Sequence, residues 1–133
     1  MAIVKTDVPM TAELCEETIL ALAESYPVLS TEVLTTTAYG RNLRTLVLGT
    51  GGRQVLFSAA HHANEWITTP LLLKFAEELA GAFQDGKPLF GVDAGVILRN
   101  CRIHLVPMVD PDGVDLVTGA IPVGTLPYEA ARA

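Results

Sequence analysis

Basic charge, cysteine, histidine and long apolar runs are all scarce in this chain, and each scarcity removes a class of function. Nine Lys and Arg stand against fifteen Asp and Glu in 133 residues, a formal charge of −6, with no basic run anywhere. A protein that follows a phosphate backbone needs the opposite balance, so nucleic acid is excluded as a partner, and anionic membrane surfaces are disfavoured for the same reason. The two cysteines, Cys15 and Cys101, lack C-x-x-C spacing and read as reduced core residues, neither a bridge nor a thiolate metal site. No apolar run approaches the roughly 20 residues of a membrane span, and residues 1–8 lack the basic-then-apolar order of a signal peptide. The sequence as written is therefore expected to be cytoplasmic. Repeats, low-complexity segments and Gly/Ser linkers are also missing, which leaves one compact unit.

What is present is apolar content. Half of the residues are hydrophobic, and the eleven Gly and eight Pro are scattered, so the chain has the means to bury a single core and disorder is excluded. Over residues 11–26, Cys15, Ile19, Leu22 and Tyr26 recur at helical spacing among Glu13, Glu16, Glu17 and Glu24, with Thr11 as cap and Pro27 as stop. Residues 31–37 and 43–48 read as two strands joined at Tyr39-Gly40-Arg41-Asn42. After Gly51-Gly52, residues 54–60, with Val55, Leu56 and Phe57, suit a strand buried on both faces. Thr69 and Pro70 open the clearest helix, with Leu72, Phe75, Leu79 and Phe83 as its apolar stripe and Asp85-Gly86 as its end. Asp93 begins a short helical turn to Leu98, and residues 102–109 make a further buried strand. Strand, helix, strand implies a parallel crossover, so the class is α/β, a partial mixed or parallel sheet flanked by helices.

In such sheets ligands gather beyond the carboxyl ends of the strands, where this chain reads His61-His62-Ala63-Asn64-Glu65-Trp66. His62 and Glu65, two residues apart, can bring an imidazole nitrogen and a carboxylate oxygen onto one ion from a tight turn, a donor mixture that zinc accepts. His61, four residues before Glu65, offers a competing pairing. The spacing alone is a weak signal, because adjacent histidines at a strand end also serve as hydrogen-bonded structural residues and Glu65 could simply favour a helix N-terminus.

The run from Ala60 to Thr68 resembles the metal-binding motif of the zinc carboxypeptidases, in which a histidine, two residues, a glutamate and a tryptophan follow a buried strand. Tyr39-Gly40-Arg41-Asn42-Leu43 is similar to the family's Gly-Arg turn, and Val106-Pro107-Met108-Val109-Asp110-Pro111-Asp112-Gly113 to its Asn-Pro-Asp-Gly segment. The three matches stand in the family's order and span residues 11–119. The wording around His62, with residues 106–117, is most similar to the γ-D-glutamyl-diamino acid endopeptidases, which cut bacterial stem peptides between γ-D-glutamate and diaminopimelate.

The resemblance implies His62 and Glu65 as ligands of one zinc ion per complete domain, Asn64 as a substrate-facing residue, and a peptide or muropeptide substrate. Asn64 stands where peptide carboxypeptidases usually carry Arg, and it could alternatively satisfy backbone groups at a helix start. Asp110 replaces the usual Asn with a residue that also makes turns, and the resemblance gives Asp110, Asp112 and Asp115 turn and capping work. The family's third ligand, a histidine, and its glutamate base lie far downstream, so no catalytic residue is expected within this chain. His104 sits mid-strand, too far back to meet His62. The expectation is a truncated, N-terminal portion of a zinc peptidase domain over residues 1–133, inactive alone, with its core in 11–118 and residues 119–133 as loop or tail. Two alternatives are an aspartoacylase-like or succinylglutamate-desuccinylase-like amidohydrolase, whose motif places Gly-Asn between the ligands and so fits Asn64, and a non-catalytic half-domain that self-associates.

Overall fold

A computed structural model describes residues 2–133. Helix α1 (Ala12–Ser25) leads into strands β1 (Leu29–Thr36), β2 (Asn42–Leu48) and β3 (Arg53–Ser58). A 3-10 turn (Ala63–Glu65) then precedes helix α2 (Thr68–Gln84), the two-residue strands β4 (Pro88–Leu89) and β5 (Val92–Asp93), and helix α3 (Ala94–Asn100). Strand β6 (Cys101–Val106) and helices α4 (Pro111–Thr118) and α5 (Leu126–Arg132) complete the order.

The fold is α/β, with a mixed four-stranded sheet in the order β1-β2-β6-β3. The hairpin β1–β2 and the pair β2–β6 are antiparallel, whereas β3 and β6 are parallel. The expected crossover is therefore present, carried by α2 and α3. Register aligns Leu29, Leu48, Ile103 and Val55 in one row across the sheet, and Leu46, Leu105 and Phe57 in another two residues away. Both rows point to the face covered by helices, because side chains two apart share a face. Leu46, Leu48 and Leu105 there, with Leu22 of α1 and Leu73 and Leu79 of α2, are wholly buried, each worth about 1.5–3 kcal/mol against exposure.

Helix α1 starts as its sequence dictates: Thr11 accepts from the Leu14 amide, and Cys15, Ile19 and Leu22 are buried. Helix α2 departs from expectation. Ile67 occupies its N-cap without a side-chain bond, and Thr69 lies inside the first turn, its hydroxyl donating to the Pro107 carbonyl at 2.6 Å. Its buried stripe is Thr69, Leu73, Ala76, Leu79 and Ala80, while Leu72 and Phe75 are only half-buried and Phe83 is exposed. The residues expected as core thus lie partly on the flank that faces the sheet edge.

Three further expectations are corrected. Strand β3 is an edge strand with Leu56 and Phe57 exposed, not a strand buried on both faces. The segment 119–133 is not irregular: Gly119, left-handed at φ 82°, ends α4, Ile121 is buried, and Thr125 caps α5 by accepting from the Tyr128 amide. The core also reaches beyond 11–118 at the other end, since Val4 and Met10 are buried and the Ile3 amide donates to Glu77 on α2.

Glycine is required at the β2–β3 connection. The amides of Thr50 and Gly51 donate to the carbonyls of Leu98 and Cys101 at 2.9 and 3.1 Å. A Cβ on Gly51 would run into the backbone of Asn100 and Cys101, so this close approach excludes any other residue.

Candidate metal centre

The site grows out of the paired ends of β3 and β6. Beyond Ser58, the Ala59 amide still reaches the Val106 carbonyl at 3.0 Å, and the amides of Val109 and Asp110 donate back to the carbonyls of Ala59 and Ala60 at 3.0 and 2.9 Å. Ala60 is left-handed, with φ 50°, a conformation that costs an L-residue about 1–2 kcal/mol and turns the chain away from the sheet. Thr68 braces both ends of the resulting loop: its hydroxyl accepts from the Ala60 amide and donates to the Glu65 carbonyl, each at 2.8 Å. Within the loop the Glu65 amide closes on the His62 carbonyl at 3.0 Å.

Helix α4 backs this turn. Asp110 caps it by accepting from the Gly113 amide at 3.0 Å, which is the capping work expected of that position. A Cβ on Gly113 would meet the Ala63 Cβ at 3.0 Å, so the glycine lets the helix abut the 3-10 turn. Asp112 and Asp115 serve elements other than their own helix, Asp115 by accepting the Ala12 amide that opens α1. Asp112 accepts from Thr37 at 2.8 Å, and both bind Arg41 of the hairpin turn.

His62 Nδ1 lies 3.1 Å from Glu65 Oε2, and both side chains open to solvent, 76% and 52% exposed. The two histidines diverge: His61 turns back along β3 and places Nε2 2.8 Å from Ser58 Oγ. The structure thus brings together His62 and Glu65 and leaves His61 out of that pair. Asn64 projects from the same 3-10 turn and is exposed. His104 is held within the sheet, its Nε2 2.7 Å from Gln54 Oε1.

The pair offers the nitrogen and oxygen donors that zinc accepts, held in direct contact with each other. Among the described residues no group of three His, Cys, Asp or Glu side chains assembles, so a third protein ligand is not found beside them. Beside the loop lies a groove of about 470 Å³ lined by Phe57, Ser58, Ala59, Thr68, Leu71, Leu72 and Phe75, almost entirely apolar.

Sequence reasoning did not single out Ala60 or Thr68, the residues that shape the loop. Thr68 carried a readable signal, a hydroxyl three residues after Glu65 that can close on its carbonyl. The left-handed Ala60 carried none.

An α/β sheet with an imidazole–carboxylate pair beyond the end of a parallel strand defines the general class. The chain belongs to the zinc carboxypeptidase family, whose model matches residues 15–124. It is 32% identical over 101 residues to gamma-D-glutamyl-L-diamino acid endopeptidase 1 of Lysinibacillus sphaericus, a match covering 76% of this chain and 26% of that protein. It is 35% identical over 104 residues to the uncharacterized protein YqgT of Bacillus subtilis, covering 77% of this chain and 28% of that protein. The chain thus spans about a quarter of the length of these curated relatives. In fold it is similar to the crystal structure of thrombin activatable fibrinolysis inhibitor, with a TM-score of 0.75 at 17% identity over 89% of this chain and 30% of that one.

Proposed function

We propose that this chain supplies the strand-end half of a zinc peptidase centre, with His62 and Glu65 as two of its ligands and Asn64 facing the substrate. The observation that carries the reading is the convergence of His62 Nδ1 and Glu65 Oε2 at 3.1 Å on an open turn at the carboxyl end of β3. When bound, zinc lowers the pKa of a water and polarises the scissile carbonyl. The chain's own residues hold and orient: the Thr68 hydroxyl fixes both ends of the ligand loop, and α4 presses on it through Gly113.

The substrate we infer is a bacterial cell-wall stem peptide, cut between γ-D-glutamate and diaminopimelate. Similarity to the Lysinibacillus sphaericus enzyme supports this choice. Asn64 offers an amide, a donor and an acceptor, to such a substrate. The remaining histidine ligand and the glutamate base are proposed to come from further along a polypeptide of this family, so residues 1–133 alone are expected to be inactive.

The test places this segment in a polypeptide long enough to supply that ligand and base, then compares a γ-D-glutamyl-diaminopimelate peptide with an N-acyl amino acid. Zinc-dependent cleavage of the first, lost in Glu65→Ala, is the expected result. Preference for the N-acyl amino acid would instead establish the amidohydrolase alternative.

A further inference from the structure

Two sequence segments that stand apart from the ligand pair, the Gly40-Arg41 turn and Asp110-Pro111-Asp112-Gly113, meet on α4. Asp112 and Asp115 lie three residues apart on one face of that helix. Both take hold of Arg41: Asp115 Oδ2 accepts from Nε, and Asp112 Oδ1 stands 3.4 Å from Nη1. Thr37, at the other end of the same turn, donates its hydroxyl to Asp112 Oδ1 at 2.8 Å and accepts the Arg41 amide at 3.1 Å, which fixes the turn that carries the guanidinium. The Asp115 side chain is 7% exposed and that of Arg41 24%, so this contact is not a loose surface pair.

Another side of α4 bears on the ligand loop. At about 100° per residue, Gly113 stands roughly 100° and 160° round the helix from Asp112 and Asp115, and a Cβ there would meet the Ala63 Cβ at 3.0 Å. The 3-10 turn is the element against which α4 packs most. Thr68 fixes the loop at Ala60 and Glu65, so Ala63 lies within the span between the two braces, and there α4 is its backing. With only eight residues, α4 is too short to hold its place unaided. One end is tied to the strand ends through the Val109 and Asp110 amides; the second anchor is Arg41.

We propose that Arg41 is a positioning residue for the loop that carries His62 and Glu65, acting through α4. The guanidinium grips two carboxylates on one face of the helix, and the Gly113 side of the helix sets where Ala63 stands, and with it the donors on either side. Arginine suits this task because its planar fork reaches both carboxylates at once, whereas a lysine would serve one. What the loop holds rests on the metal reading above; how the loop is held does not.

Backbone amide relaxation of the 133-residue chain, free of zinc, tests the coupling. The order parameters of residues 61–65 should fall from about 0.85 to below about 0.6 in Arg41→Gln. They should stay unchanged in Leu98→Ala, a core truncation on α3 at the other end of β6. Asp112→Ala, which removes the Thr37 bond and one Arg41 contact but leaves Asp115, gives the same answer if Arg41→Gln fails to fold. Zinc titration read at the His62 imidazole should in parallel give binding about tenfold weaker in Arg41→Gln. Unchanged order parameters in both variants, or an equal fall in Leu98→Ala, overturn the proposal. Failure of the unmodified chain to bind zinc at His62 would instead remove the metal reading, with the relaxation result still deciding the role of Arg41.

Discussion

Arg41 Nε donates to Asp115 Oδ2 while Asp115 Oδ1 accepts the Ala12 amide at 2.7 Å, so one buried carboxylate joins the hairpin turn, the start of α1 and helix α4. The Asp115 side chain is 7% exposed, and Arg41 is the cation that balances it, with Asp112 as a second partner at 3.4 Å. Arg41→Gln leaves that carboxylate without a counter-charge. The expected loss is about 2 kcal/mol of unfolding free energy by urea titration. A loss below about 0.5 kcal/mol would mean that the pair behaves as an ordinary surface ion pair.

The β2–β3 connection separates two adjacent glycines. Gly51 has backbone of Asn100 and Cys101 where a Cβ would stand, whereas nothing lies within 4 Å of a Cβ on Gly52. Gly51→Ala should lower the melting temperature strongly, with a loss of about 3 kcal/mol or more, and Gly52→Ala should change stability by about 0.5 kcal/mol or less. Equal effects of the two would contradict the close approach of this loop to the start of β6.

Glu77 makes stability depend on pH. Burial pushes its carboxyl up, but the bond from Lys74 and the amides of Ile3 and Val4 pull it further down, so the net direction is below the ordinary Glu value of 4.5. A depressed folded-state value gives stability that is present above the unfolded value and lost as pH falls through the folded one. Denaturant titrations should therefore show a decline beginning near the ordinary Glu value and continuing below it. In Glu77→Gln that part of the decline should vanish, and an unchanged pH profile would count against the role of Glu77 in tying residues 3 and 4 to α2.

The two cysteines should react in sequence. Burial, and secondarily the charge of Glu16, push the Cys15 thiol up to about 12, so it carries almost no thiolate at neutral pH. Cys101 is half-buried. Alkylation of the native protein should label Cys101 first and Cys15 only on unfolding. Rapid native labelling of Cys15 would show that α1 does not pack against the core as described.

Much of this architecture was legible because the signals are local. The Thr11 cap and the Cys15, Ile19, Leu22 spacing specify α1, Tyr39-Gly40 specifies the hairpin, and Asp93 specifies the start of α3, where it accepts from the Val96 amide. The position of β3 was not legible, since Val55-Leu56-Phe57 reads the same in a central strand and in an edge strand bearing an apolar strip; strand order is a long-range property. The helix α5 was legible in principle: Thr125 as cap, Pro127 in the first turn and Arg132 in the last are ordinary helix signals, but the run is too short to show periodicity. At the site, the spacing of His62 and Glu65 pointed to a shared ion and the family resemblance chose His62 over His61, while the loop path that turns His61 away, shaped by Ala60 and Thr68, was not legible.

That choice is also where the account is most directly tested. Zinc titration followed by the imidazole resonances, in the unmodified chain and in His61→Ala, His62→Ala and Glu65→Ala, reads which side chains hold the ion. The account predicts weak binding that perturbs His62, persists in His61→Ala and disappears in both other variants, as expected of two ligands without a third. Binding that survives His62→Ala, or that is abolished by His61→Ala, would contradict it.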